Sequence, residues 1–138
     1  MLDSYFLNNI RTLFINKNYD EVIKLTKNLT IDEDIPSWLL NIIGVSKNLQ
    51  IKKTDIDVLS SLSLFEKAFL KEKEGLYGLE GLSNLIATTL TQLNNKNLKK
   101  EILNYLKLCE KYYLSSEKIF GNNEKFLIIG SNLFLFLL

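Results

Sequence analysis

Cys109 is the only cysteine and the chain contains no histidine. A lone thiol forms no internal disulfide and no cysteine metal cluster. Without imidazole there is no His-based acid–base chemistry, no Ser-His-Asp triad and no papain-like pair. Asp32, Glu33 and Asp34 gather carboxylates that suit a hard cation. They lack the glycine and the spaced ligands of a calcium loop, and a solvated helix connection explains them better. Gly75, Gly78 and Gly81 recur every third residue with no strand before them. That is not a phosphate loop, and it suits a turn and close helix packing. Tyr112 and Tyr113 beside lysines offer base stacking near charge. Helical spacing sends the two rings in different directions, which favours packing. Cys109 lies among Leu106, Leu108 and Tyr113, where a free cysteine behaves as a small buried hydrophobe. No catalytic constellation emerges, so the expectation is a protein that is not an enzyme and needs no cofactor or metal.

Composition narrows the partners. In 138 residues the formal net charge is +1, with no long block of one sign. The electrostatic reason to propose a nucleic-acid partner is therefore missing. Arg11 is the only arginine, so forked phosphate or carboxylate contacts are scarce. The hydrophobic share of 46% and charged share of 24% are ordinary for one globular domain. Met1-Leu2-Asp3-Ser4 carries an acid where a secretory signal needs positive charge, and the expectation is a cytoplasmic protein.

The elements that would position any site read as helices. Six glycines and one proline are too few for a turn-rich β architecture. Phe6, Leu7, Ile10, Leu13 and Phe14 mark an amphipathic helix over Ser4–Ile15. Asn16-Lys17-Asn18 is a turn, and a second helix opens at Tyr19 with Asp20 and Glu21 in its first turn. It runs to about Leu29. Pro36 introduces a third helix, to Leu49, whose Pro36–Val45 run is too short to span a bilayer. Gln50 to Asp57 is a longer loop or a lengthened helix start, with a fourth helix over Val58–Lys71. A fifth spans about Leu76–Leu93, a sixth Leu98 to about Phe120, and a seventh begins near Glu124. Gly121 stands where a left-handed cap would sit. Helical hairpins of roughly 35 to 45 residues have the period of a helix-pair solenoid.

At this point the chain resembles the tetratricopeptide repeat (TPR) family. Asn18-Tyr19-Asp20-Glu21-Val22-Ile23 is similar to the family's second-helix opening, with Val22 in place of alanine. Ile43-Gly44 matches its Leu-Gly step, and Phe65-Glu66-Lys67-Ala68 its large-then-small pair. Leu82-Ser83 and Ile129-Gly130 fall where later steps belong. The second repeat carries about five extra residues between Gln50 and Ser60, and the third lacks the Tyr-Asp-Glu-Ala signature. The resemblance implies an all-α, right-handed α-solenoid of antiparallel helix pairs, with about three and a half repeats. Their approximate bounds are 3–36, 37–75, 76–122 and a half repeat over 123–138.

In that family the first helices line a concave groove. By resemblance, Ser4, Leu7, Arg11, Trp38, Asn41, Val45, Tyr77, Glu80, Asn84 and Ser131 face it. Arg11, Asn41 and Asn84 would grip a peptide carboxylate or backbone. Family members that clamp chaperone tails use paired lysines and asparagines, and only Asn84 matches that pattern. Trp38, the sole tryptophan, either anchors a peptide or packs between repeats, and burial statistics favour packing.

The stretch Phe126–Leu138 is uncomfortable for a terminal solenoid helix, which needs a polar outer face. Phe134, Leu135, Phe136, Leu137 and Leu138 follow one another with no charge after Lys125. The expected covers are further chain, then a second copy or another protein, then a membrane. The run is short of the ~20 residues needed to span, so a membrane ranks last. The resulting expectation is a non-catalytic interaction module or scaffold that binds a peptide or partner helix on its concave face, with self-association through the C-terminal helix. The alternative is the N-terminal accessory region of a larger enzyme, similar to a sulfotransferase or glycosyltransferase, whose catalytic domain would lie beyond residue 138.

Overall fold

In the computed structural model, residues 2–29, 34–72, 79, 81–82 and 96–137 are described. The described residues are all-helical: α1 (Ser4–Ile15), α2 (Tyr19–Thr26), α3 (Ser37–Leu49), α4 (Asp55–Lys71), α5 (Lys96–Phe120) and α6 (Glu124–Leu137). Leu79, Gly81 and Leu82 are helical as well. The rest of the expected fifth helix lies outside the described residues.

Asp3 starts α1 by accepting the Phe6 N–H at 2.8 Å, which satisfies one of the helix's free donors. The end of α1 is less usual. Asn18 N–H donates to the Leu13 carbonyl at 2.9 Å and Lys17 N–H to the Phe14 carbonyl at 3.0 Å. These are the two bonds of a Schellman cap, whose left-handed residue is normally glycine. Here it is Lys17, with φ 61°. Gly121 was the expected left-handed cap, yet no described glycine has positive φ. The end of α5 therefore turns without one.

The α2–α3 link is tied to the far end of α4. Ser37 donates its hydroxyl to Glu72, and Lys71 pairs with the fully exposed Asp34 at 3.4 Å. Ile35 in the same link is buried, and Pro36 caps α3. The helix α2 stops at Thr26, shorter than the expected Leu29. Conversely, α4 begins at Asp55, three residues before the expected Val58. The cause is a capping box: Asp57 N–H donates to Thr54 Oγ1 at 3.3 Å, and Thr54 N–H to Asp57 Oδ2 at 2.8 Å. Burial alone would raise the Asp57 carboxyl. The Thr54 and Gln50 hydrogen bonds and the Lys47 charge outweigh it and hold the group below the usual carboxylate range.

The packing follows chain order. Helix α3 lies most extensively against α4, α2 lies against both α1 and α3, and α5 meets α6 and α4. Two apolar clusters result. One joins Ile10, Val22, Ile35, Leu39, Leu40 and Ile43 to Leu64 and Ala68 of α4. The other joins Val58, Leu62, Phe65 and Phe69 of α4 to Leu79, Leu82 and the buried stripes of α5 and α6. Helix α4 thus buries one face in each cluster and forms the layer between them.

Candidate functional site

Arg11 on α1 and Trp38 and Asn41 on α3, which the resemblance assigns to one groove, lie close together. They line one shallow depression of about 350 Å³ with Ile42. Each is placed by its helix's buried stripe. On α1, Ile10 is fully buried, which turns the next residue, Arg11, toward the surface at the edge of the N-terminal cluster. On α3, Leu39, Leu40 and Ile43 point into the core and leave Trp38 and Asn41 half-buried beside Arg11.

The Arg11 guanidinium carbon lies 4.0 Å from the Trp38 ring centroid. A cation over an indole face gains roughly 0.5–1 kcal/mol at an exposed site. A guanidinium has five N–H donors, and a contact with a ring face uses none of them as a conventional hydrogen bond to oxygen. Among the described residues no acid forms an ion pair with Arg11. The depression therefore combines an aromatic wall, a cation with unused donors and an amide able to donate and accept.

Trp38 packs against the N-terminal cluster, and its ring also carries Arg11. Leu7 belongs to the margin of that same cluster, and Val45 to that of the other. Ser4 and Ser131 are exposed, and the Ser131 hydroxyl donates to the Leu127 carbonyl at 3.0 Å. Tyr77, Glu80 and Asn84 lie outside the described residues. So do Leu138 and the side chains of Phe134, Leu135, Phe136 and Leu137, although α6 itself extends to Leu137. Earlier along α6, Phe126, Ile129 and Leu133 are buried while Leu127 and Ile128 are about half exposed.

Of the remaining chemical candidates, Cys109, Tyr112 and Tyr113 resolve into packing, whereas Asp32, Glu33, Gly75 and Gly78 lie outside the described residues. Cys109 is fully buried, and burial pushes its thiol up to about 12. Tyr113 stacks on Phe126 at 4.1 Å, and Tyr112 tilts against Phe69 at 4.9 Å. Burial first, and the Glu66 charge second, raise the Tyr105 and Tyr112 phenols above their ordinary value. No group of three or more metal-ligating side chains occurs among the described residues, and none of the helices described is long and apolar enough to cross a membrane.

Glycine–aromatic contacts are the feature that sequence spacing only partly found. A methyl added at Gly44 would lie 2.6 Å from Phe65, and one at Gly81 would lie 2.5 Å from the same ring. One at Gly130 would lie 2.1 Å from the Tyr113 hydroxyl. The Ile43-Gly44 and Ile129-Gly130 steps had marked two of these. The third contact belongs to Gly81, whose spacing with Gly75 and Gly78 suits a turn and close helix packing but names no aromatic partner, while Ser83 of the expected Leu82-Ser83 step is outside the described residues.

In comparisons with known proteins, no family model, curated protein or solved structure matches the chain.

Proposed function

We propose that the chain is a TPR-like α-solenoid that works as a non-catalytic interaction module, receiving a peptide or partner helix on the face formed by α1 and α3. The observation that carries this reading is the Arg11–Trp38–Asn41 depression: an aromatic platform holding a guanidinium whose donors are unused by any described acid. Such aromatic and arginine side chains are the ones that dominate interface energetics. The surface is built on two helices and needs little ordering to bind.

Three features support the repeat arrangement. Successive helices pack on their chain neighbours, α4 is buried on two faces, and glycines of α3 and α6 receive the aromatic rings of α4 and α5. These are the contacts expected where small residues let stacked helices approach closely.

The test is peptide selection on the whole 1–138 chain, counter-selected against Arg11→Ala and Asn41→Ala. Binding is read by the fluorescence of Trp38, the only tryptophan. Selected peptides should change that fluorescence saturably and lose about tenfold or more in affinity with Arg11→Ala, the loss typical of an anchor residue. Peptides that bind the wild type and both variants equally would refute this face.

A further inference from the structure

On the other side of α3 lies a second, different recess. It has a volume of about 160 Å³ and sits between α2, α3 and α4. Its walls are Ile23, Leu29, Ile35, Leu40, Ile43 and Leu64. The hydroxyl of Thr26, also on the wall, donates to the Val22 carbonyl at 2.7 Å, so its proton is not offered to a ligand. Helical spacing at 100° per residue puts Leu40, Ile43 and Lys47 opposite Trp38, Asn41 and Ile42 on α3. The recess is therefore independent of the peptide face.

Among the described residues, two charged side chains line it, Lys27 and Lys47, and no acid does. Lys47 donates to Ser60 Oγ at 2.9 Å, which leaves two of its three N–H donors. Lys27 is exposed, and no described acid forms an ion pair with it. Size and wall chemistry restrict what fits. A dry apolar cavity of ~150 Å³ takes a benzene-sized hydrocarbon, and a nucleotide or sugar would find too little room and too few donors.

We propose that this recess binds a small amphiphilic carboxylate. Its hydrocarbon body, of about six carbons, would lie against the α2–α3–α4 walls, with its carboxylate at Lys27 and Lys47. Lys27 supplies charge, and Lys47 supplies charge together with directed hydrogen bonds. Each added methylene buried in the recess strengthens binding by roughly fourfold. Hexanoate should therefore bind about 15-fold more tightly than butanoate, whereas hexanol, without the charge, should bind about tenfold more weakly than hexanoate.

The experiment titrates the full chain with hexanoate, butanoate and hexanol while following side-chain methyl resonances by NMR. Saturable shifts at Ile23, Leu40 and Ile43 with that affinity order support the assignment. Lys27→Gln, an exposed substitution that leaves the fold alone, should then weaken hexanoate severalfold and leave hexanol unchanged, with Lys47 keeping the rest of the carboxylate's advantage. No saturable shift at those methyls would overturn it. Equal affinity for hexanoate and hexanol, with no effect of Lys27→Gln, would overturn the carboxylate. Shifts confined to Ile42 and Trp38 would place the anion at Arg11, which overturns the recess and leaves the peptide face standing.

Discussion

Gly44→Ala should destabilise the protein even though alanine is the better helix former. The residue lies inside α3, where glycine costs about 1 kcal/mol relative to alanine. Taken alone, the substitution is stabilising. The added methyl, however, would lie 2.6 Å from Phe65 Cε1 and 3.0 Å from both Cδ1 and Cζ. Ordinary carbon contacts are ~3.5–4.0 Å, so the ring or the helix must move by about 1 Å. Phe65 is 2% exposed in the C-terminal cluster and also meets Gly81, so it has no solvent to move into. Overpacking of this kind costs about 1–3 kcal/mol. Set against the propensity gain, the net loss should be about 1–2 kcal/mol, or roughly 3–7 °C in Tm for a chain of this length. Urea and thermal unfolding of Gly44→Ala would measure it. The same substitution in a Phe65→Leu background is the control, because leucine lacks the Cε1 and Cζ atoms that the methyl strikes. There Gly44→Ala should be neutral or stabilising. A Gly44→Ala protein more stable than the wild type would refute the close approach of α3 to α4.

Lys17→Gly should stabilise by about 0.5–1 kcal/mol in urea unfolding, because Lys17 holds the left-handed position of the α1 cap with φ 61°; a loss of stability would contradict that cap. Thr54→Ala should cost about 1 kcal/mol by removing one arm of the α4 capping box. The Asp57 arm gives a pH signature. Its folded pKa is depressed, so its contribution is present above the unfolded value of about 3.9 and is lost as pH falls through the folded one. Unfolding free energies measured from pH 6 to 2 should drop in the acid range, and Asp57→Asn should flatten that part of the profile. Cys109, its thiol pushed by burial from an ordinary 9.0 up to about 12, carries roughly a thousandfold less thiolate than a free thiol at pH 8. It should react with Ellman's reagent only when the fold opens; rapid stoichiometric labelling of the native chain would place the thiol elsewhere.

What could be read in advance was whatever repeats along the chain. The stripe Phe6, Ile10, Leu13 and Phe14, the Asn16–Asn18 turn and the start at Pro36 are local signals, and α1, α2 and α3 follow them. The box at Thr54 was legible too, because Thr-x-x-Asp is a helix-opening pattern. The charges of Lys52, Lys53 and Asp55 leave a longer loop and a lengthened helix start both open for Gln50–Asp57, and the structure has the lengthened start. Lys17 was not legible, since a left-handed lysine depends on the two carbonyls it lets the chain reach. Arg11 and Trp38 could be assigned to one face by repeat logic. Their contact at 4.0 Å depends on how closely α1 and α3 approach, which no one-dimensional pattern specifies. The recess behind α3 was invisible for the same reason: Ile23, Leu40 and Leu64 each read as core, and only packed volumes reveal a gap among them.

The two faces of α3 follow from its place between neighbours. Its buried residues, from Ser37 and Leu39 to Gly44 and Ser46, spread across more than half of the helix surface, so only a narrower strip remains half-buried. That strip carries Trp38 and Asn41, and α1 supplies Arg11 beside it. A rigid strip of this kind is a better binding surface than a loop, because its side chains are aligned before any partner arrives. Helix α4 performs the complementary task. Leu64 and Ala68 face the cluster beneath α3, while Leu62, Phe65 and Phe69 face the α5–α6 cluster. A disturbance at Phe65 must therefore be felt through α4 on both sides, whereas one at Arg11 or Asn41 stays on the surface. This separation is what makes the predictions independent: Gly44→Ala should change stability, and Arg11→Ala should change binding while costing no more than the roughly 0.5–1 kcal/mol of its contact with Trp38.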